Sequence, residues 1–536
     1  LVFNLKKKQK MKNLKNISKI GLLAVGLVVS QSCVNDLDRT PFIEVTSATV
    51  YNDLANYKQI LAKMYAGYAV SGQQGPDGNP DISGIDEGFS TYLRQYWKAQ
   101  ELTTDEAVIG WNDGNLRDYH DMDWTSSNEF VTAMYNRIYY QITLTNEFIR
   151  ETTDAKLKDR GISATEVKTF RAEARFLRAL SYYHALDMFG NVPFVTEEDA
   201  VGSFTPKQKT RAELFAYVES ELKAIDADLP APMTNEYGRA DKAAAWTLLA
   251  KLYLNAQVYT GTSKNNETLE FCNKVIAAGY TLDAKYATLF LADNNKSKEV
   301  IFPITFDGTR TKTWGGMTFL VHAPVGGSMN PSEFGINGGW GGIRTTKSFV
   351  EKYSDITGAT DQRATFYTKD QNIDIDDIFK FADGYAITKY KNVTSAGVKG
   401  SDIEGNFPDT DFPMFRLADV YLMYAEAVLR GGTGGNTAQA VNYINKLRQR
   451  AYGSTSGNIT NIDLNFVLDE RARELYWEGH RRTDLIRFGK FSGGSYLWPW
   501  KGAVKEGKAV PEYLNLFPIP SSDIVANPNL KQNTGY

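Results

Sequence analysis

Cysteine and histidine are scarce in this chain, and neither charge sign dominates. There are two cysteines, Cys33 and Cys272. Cys33 stands beside an apolar leader, which leaves Cys272 alone within the body of the chain, and one thiol makes neither a disulfide framework nor a cysteine zinc site. Cys272 lies in FCNKVIAAGY and reads as a small buried hydrophobe. The four histidines, His120, His184, His322 and His480, fall in no HExxH pattern, and no GxSxG or P-loop run occurs. Lys and Arg number 60 against 63 Asp and Glu, a formal charge of −3. Nothing in that balance supplies the basic face that nucleic acid requires. Long Pro/Ser linkers and low-complexity breaks are also missing, so one large domain is more economical than several.

Apolar runs are short. The longest near the start, Ile20–Val29 (IGLLAVGLVV), is too brief to span a bilayer and has the length of a signal-peptide core. Met11 makes a second start, and Lys12, Lys15 and Lys19 form a basic flank before the apolar run. Ser30-Gln31-Ser32-Cys33 then reads as a loose lipobox, with Cys33 as the lipidation point. The expected division is residues 1–32 as upstream residues plus lipoprotein signal, and 33–536 as a single domain.

Aromatics are in excess: 30 Tyr, 28 Phe and 9 Trp. They serve a large core or a surface that stacks on flat ligands. Phe170–Pro193 (FRAEARFLRALSYYHALDMFGNVP) reads as a long amphipathic helix, capped by Gly190 and stopped by Pro193. Arg171, Arg175 and Arg178 share one edge and suit carboxylate partners. Ala240–Tyr259 carries Trp246-x2-Leu249-Ala250-x2-Tyr253, close to the first helix of a tetratricopeptide repeat, and Glu267–Gly279 supplies its second helix. A similar pair runs from Phe415–Arg430 through Gly431–Gly435 to Thr437–Tyr452. Arg211–Leu229 and Phe466–Gly479 add further helices. Val300–Thr305 and Thr318–Val321 read as short strands. The predicted fold is therefore dominated by α-helix, with TPR-like helical pairs as scaffold, long loops and a few short strands.

Two loop regions, Gly72–Trp111 and Asp307–Ile343, hold the three tryptophans that stand out: Trp111, Trp314 and Trp340. The last two precede Gly-Gly, which leaves a ring uncovered. A sugar presents a face of C–H groups to such an indole. Spacing alone leaves two readings for each ring, an exposed stacking face or a loop-anchoring core. Glycosidases need two carboxylates, and Asp86, Glu87 and Asp113 lie in the same loops as Trp111. Glu474, Glu478 and His480 fall in one predicted helix beside Arg471, Arg473, Arg481 and Arg482, where ion pairing is the plain reading.

Phe170–Pro193, ERARELYWEGHRRTDLIRFGKF (Glu470–Phe491) and NLFPIPSSDIVANPNLKQNTGY (Asn515–Tyr536) together resemble the SusD/RagB family of surface glycan-binding outer-membrane lipoproteins. The similarity runs from about Cys33 to the end. Gly75–Phe89, Glu101–Trp111, Glu236–Trp246, Trp314–Val321 and Phe407–Leu422 are similar to the starch-binding branch of that family. The resemblance implies non-catalytic capture of starch or malto-oligosaccharide, with Trp111, Trp314 and Trp340 cradling a curved α-glucan. It implies hydroxyl contacts from Asp86 and Arg94. Gly114 replaces a sugar-bonding asparagine, for which Asn112 or Asn115 can substitute. Trp314 replaces a tyrosine, and the segment after Phe349 is shorter, so the rim differs. Asp409 and Asp411 resemble part of a structural calcium position; no cofactor is otherwise required. The implied partner is a SusC-like TonB-dependent transporter, at the outer-membrane surface, with attachment through lipidated Cys33. Acidic Asp36 and Asp38 just beyond that cysteine resemble the family's surface-export signal. The competing readings are a glycoside hydrolase, a RagB-like peptide binder and a binder of another α-glucan such as dextran.

Overall fold

The computed structural model describes residues 50–536 apart from Ser203. The apolar leader, Cys33, Asp36 and Asp38 lie outside the described residues. The chain divides into Leu1–Asn56 and a compact unit, Tyr57–Tyr536, which holds everything discussed below.

Helices dominate that unit. The long arginine-bearing helix spans Ala164–Met188 and ends at Phe189, with Gly190 in the left-handed region (φ +72°). Its apolar face is buried against Glu129–Glu151 and Arg211–Ala224. The arginine edge meets carboxylates: Arg175 and Arg178 both donate to Glu221 at 2.8 Å, and Arg171 reaches Asp154 at 2.6 Å. The TPR-like pairs are present as Lys242–Leu254 with Asn265–Ile276, and Leu417–Leu429 with Thr437–Tyr452. Asn265–Ile276 also packs on Leu417–Leu429, which joins the two pairs into one stack. Leu249, Ala250, Tyr253 and Cys272 are buried there, as the repeat pattern requires.

Strands are short and occur as two-stranded pairs. Val300–Ile304 pairs antiparallel with Phe412–Arg416. The helix expected from Phe415 therefore begins at Leu417, because Phe415 and Arg416 are held in that ladder. Thr318–Val321, expected as a strand, is helical within Gly316–His322. It is buried on all sides, so its continuous apolar run carries no period that separates strand from helix.

The predicted C-terminal helix also breaks. It spans Leu464–Leu475, and the chain resumes helix at Arg481–Arg487 after a turn with Trp477 (φ +61°) and Gly479 (φ +78°). The turn sends Glu474 and Glu478 to arginines other than their sequence neighbours. Arg416 donates to Glu299 at 2.9 Å, Glu474 at 2.7 Å and Glu478 at 2.6 Å. Arg363 donates to Asp361, Glu470 and Glu474. These buried, multiply bonded charges lock the scaffold; removing one partner of such a pair costs roughly 3–5 kcal/mol.

Candidate functional site

One two-residue ladder positions the aromatic residues. Val108–Ile109 pairs antiparallel with Ile343–Arg344, and Gly110 N donates to Gly342 O at 3.0 Å. The pairing sets Trp111 beside the segment that carries Trp340. The Trp111 indole lies directly on Gly342, where any Cβ would overlap the ring. Trp111 and Trp340 have centroids 6.2 Å apart at 46°, and Phe319 supports Trp111 edge-on at 6.0 Å.

Trp340 rests on a histidine. The His322 ring is stacked on it at 4.9 Å and 25°. His322 Nδ1 lies 2.7 Å from Gly338 O, and Nε2 lies 2.9 Å from Asn406 O. Burial pushes the His322 pKa below its usual value, while the two carbonyls pull it up. Trp340 N in turn donates to His322 O at 2.9 Å.

Trp314 packs on Phe407, centroids 5.0 Å apart. Its indole N–H donates to Asp77 at 2.9 Å, and its backbone N–H donates to Glu87 at 3.1 Å. Glu87 is buried and also accepts from Ser71 and Thr313. Arg94 then links this end to the other. It sits on Tyr92–Glu101 with Nη1 donating to Gly88 O at 3.0 Å and Trp314 O at 3.5 Å. Its guanidinium lies 4.1 Å from the Phe89 centroid, 4.3 Å from Phe319 and 5.9 Å from Trp111. Burial lowers its pKa from 12.5 to about 9, against the pull of Asp113, Asp86 and Glu87, so it stays cationic at neutral pH. The contacts close a circuit: Trp314, Phe407, Asn406, His322, Trp340, Trp111, Arg94 and back to Trp314.

The sequence-predicted residues thus converge, in different postures. The three tryptophans are half-buried, each packed on one side and open on part of the other. Asp86 is exposed, with Oδ1 accepting from Gly88 N at 2.9 Å. Arg94 is only 4% exposed and meets the platform from beneath. Asn112 is exposed. Asn115 is turned to the start of helix Glu129–Glu151, where Oδ1 accepts from Glu129 N at 3.2 Å. Gly114 between them has φ +49°, a left-handed conformation that favours glycine, and abuts the Glu129 carboxylate.

Asp409 and Asp411, the residues expected at a calcium position, both accept hydrogen bonds from neighbouring loops. Asp409 accepts from Gly308 N at 2.7 Å and from Ser401 N and Oγ at 2.6 Å. Asp411 is buried and accepts from Tyr237 OH at 2.6 Å and Phe306 N at 2.7 Å. Burial raises the Asp411 pKa to about 7. No group of three or more acidic, histidine or cysteine side chains among the described residues is arranged to hold a metal. The pair clasps loops.

Sequence reasoning missed Phe407 and His322 as parts of the platform. Phe407 opens the FPDTDFPMFRLADVYL stretch, and His322 directly follows the WGGMTFLV stretch that starts at Trp314. Each was visible as a residue, but its ring partner lies far away in sequence.

Two family models match the chain: "SusD family" over residues 376–536 and "Starch-binding associating with outer membrane" over residues 37–254. The starch-binding protein SusD of Bacteroides thetaiotaomicron is 36% identical over 98% of this chain and 100% of that protein. A SusD-like protein of Bacteroides ovatus is 23% identical over 76% of this chain and 82% of its own length. Among solved structures, a SusD superfamily protein from B. thetaiotaomicron superimposes with a TM-score of 0.69 at 20% identity, covering 90% of this chain and 99% of that one. Surface glycan-binding protein A of the same organism, in complex with laminarihexaose, gives a TM-score of 0.67 at 20% identity, with 90% and 99% covered. By sequence along its whole length and by its helix-dominated fold, this chain belongs to the SusD family.

Proposed function

We propose that the protein captures starch-like α-glucan without cleaving it and passes it to a SusC-like TonB-dependent transporter. The observation that carries this reading is the circuit of half-buried rings. Trp111 and Trp340 are inclined at 46° to each other rather than coplanar. Inclined indoles follow a chain whose successive sugar faces turn, as they do along a curved α-glucan. The rings are fixed from behind by Gly342, His322, Phe407 and Arg94, so little freedom is lost on binding. Asp86, Arg94 and Asn112 are the polar groups assigned to hydroxyls, with Arg94 acting mainly as the support that ties Trp314 to Trp111. The name of the 36% identical relative, a starch-binding protein, points the same way.

One of the three candidate carboxylates is taken up by structure. Glu87 is buried and accepts three hydrogen bonds, from Ser71, Thr313 and Trp314 N, so it is occupied as a structural acceptor. Retention on an amylose matrix without release of reducing ends tests both halves of the reading. Sugar release by the purified chain would make it a hydrolase instead. One observation favours a second ligand class: a fold neighbour is solved with laminarihexaose. A glucan of another linkage, dextran included, is therefore the alternative cargo. The remaining parts of the proposal are the single domain over 33–536, lipid attachment at Cys33 and residence at the outer-membrane surface. Loss of lipid labelling in Cys33→Ala and co-purification with the transporter test them.

A further inference from the structure

The rim beside Trp111 carries a fourth exposed aromatic on an unusually well-fixed turn. Residues 375–383 pack directly on Gly110, the residue before Trp111. A Cβ there would lie 2.8 Å from Arg344 Nη1, 2.9 Å from Ile378 O and 3.4 Å from Phe379 O. Buried Arg344 staples this turn to the platform with all three of its nitrogens. Nη1 donates to Gly342 O at 2.9 Å, Nη2 to Ile378 O at 2.6 Å, and Nε to Asp383 O at 2.9 Å. Gly342 is the residue on which Trp111 lies, so one guanidinium sets the register of turn and indole together.

The turn is braced further within itself. Asp383 accepts from Asp376 N at 3.1 Å and Asp377 N at 2.8 Å, and Asp377 accepts from Phe379 N at 3.0 Å. Ile375 and Ile378 are buried against Val108, and Trp500 Nε1 donates to Ile375 O at 3.0 Å. Phe381 lies against Gly326 and Gly341, beside Trp340. Every part of the turn is tied down, yet Phe379 at its tip is 48% exposed. The Arg117 guanidinium stands 4.9 Å from the Phe379 centroid, at the far end of the loop that begins with Trp111. Its side chain is 35% exposed and reaches Asp121 at 3.4 Å. Arg117 Nε is buried with no hydrogen-bond partner.

We propose that Phe379 and Arg117 form an outer sugar subsite that prolongs the aromatic arc past Trp111. Phe379 supplies the stacking face for the C–H side of a hexose, and Arg117 supplies donors for its hydroxyls. A single exposed phenylalanine is ordinary. A phenylalanine held at the tip of a turn whose backbone is fixed to the Trp111 platform is preorganised, which is what a weak stacking contact needs. This inference rests on the glycan reading above and deepens it: the site discriminates by chain length.

The test is calorimetric titration of the full chain, wild type and Phe379→Ala, with α-1,4 and β-1,3 gluco-oligosaccharides of increasing length. Phe379→Trp and Arg117→Gln run alongside. For whichever series binds, Phe379→Ala is expected to lower the ratio of long-chain to short-chain affinity about five- to tenfold, and Phe379→Trp to restore it. Arg117→Gln is expected to lower the same ratio. A loss equal at every length, or none, overturns the subsite and leaves the platform reading intact. Failure of wild type to bind either series overturns the platform reading and the subsite with it. Phe379 is exposed, so an unchanged melting temperature separates lost contact from lost fold.

Discussion

His322 lies stacked on Trp340 at 4.9 Å, with each of its ring nitrogens within 2.9 Å of a backbone carbonyl. A neutral imidazole donates only one of those two bonds; the imidazolium donates both. In either state the ring is the floor on which Trp340 rests. It also joins the Gly338 turn to the Asn406 loop, which brings Phe407 to Trp314. We therefore expect His322→Ala to free Trp340 and weaken glucan binding several-fold, while costing about 1–2 kcal/mol of stability. Paired titration and thermal melts check this. Unaltered affinity in a folded His322→Ala protein would show that Trp340 needs no floor.

Gly342 is the narrowest point of the platform. A methyl group there overlaps the Trp111 indole, although Gly342 does not have a positive φ. Gly342→Ala should therefore displace Trp111, with an overpacking cost of about 1–3 kcal/mol. Glucan affinity should fall by roughly tenfold or more, as expected when one contact aromatic is lost. Tryptophan fluorescence and titration read the two effects separately. Wild-type affinity in Gly342→Ala would mean that Trp111 is not a contact.

The helical scaffold was largely legible because its signals are local. Arginine spacing in Ala164–Met188, the Trp246 repeat pattern and the glycine breaks all lie within a turn or two of what they specify. Thr318–Val321 was not legible: four buried residues, three of them apolar, fit either period. Nor was the break at Trp477, whose backbone is held by Glu106, which accepts from Trp477 N at 3.2 Å. The platform was half legible. The tryptophans announced themselves by their glycine neighbours, but His322, Phe407 and Phe379 gain their roles only through tertiary packing. The Asp409–Asp411 pair reads two ways in sequence, because the i, i+2 spacing that suits an ion suits two loop clasps equally.

Stability should carry a pH signature from the helix that bears Arg94. Glu101 ends that helix and accepts from Gly479 N at 2.6 Å and His480 N at 3.2 Å. Burial raises its pKa from 4.5 to about 7; its carboxyl also hydrogen-bonds to that of Glu106, which burial and the Glu101 charge raise too. A raised folded-state value means the folded chain holds the proton more tightly. That stabilisation is complete below about pH 4.5 and is lost as pH rises through 7, on the order of 2–3 kcal/mol. Buried His184 and His480, pushed down to about 3, act in the opposite sense between 3 and 6.5. The difference between wild type and Glu101→Gln isolates the carboxyl: the variant should gain on wild type from pH 5 to pH 8 in urea unfolding. Parallel pH profiles would remove Glu101 from the linkage.

The most direct measurement of the central claim is isothermal titration of the chain with maltoheptaose, repeated on Trp111→Ala, Trp314→Ala and Trp340→Ala. Each lost ring should weaken binding about tenfold or more, as truncation of a contact aromatic does, and the melting temperature of each variant checks that it folds. Laminarihexaose runs in parallel to fix the linkage. Binding that disappears with the rings supports an aromatic glucan platform. Binding that is indifferent to all three variants, or no binding of either glucan, would contradict it.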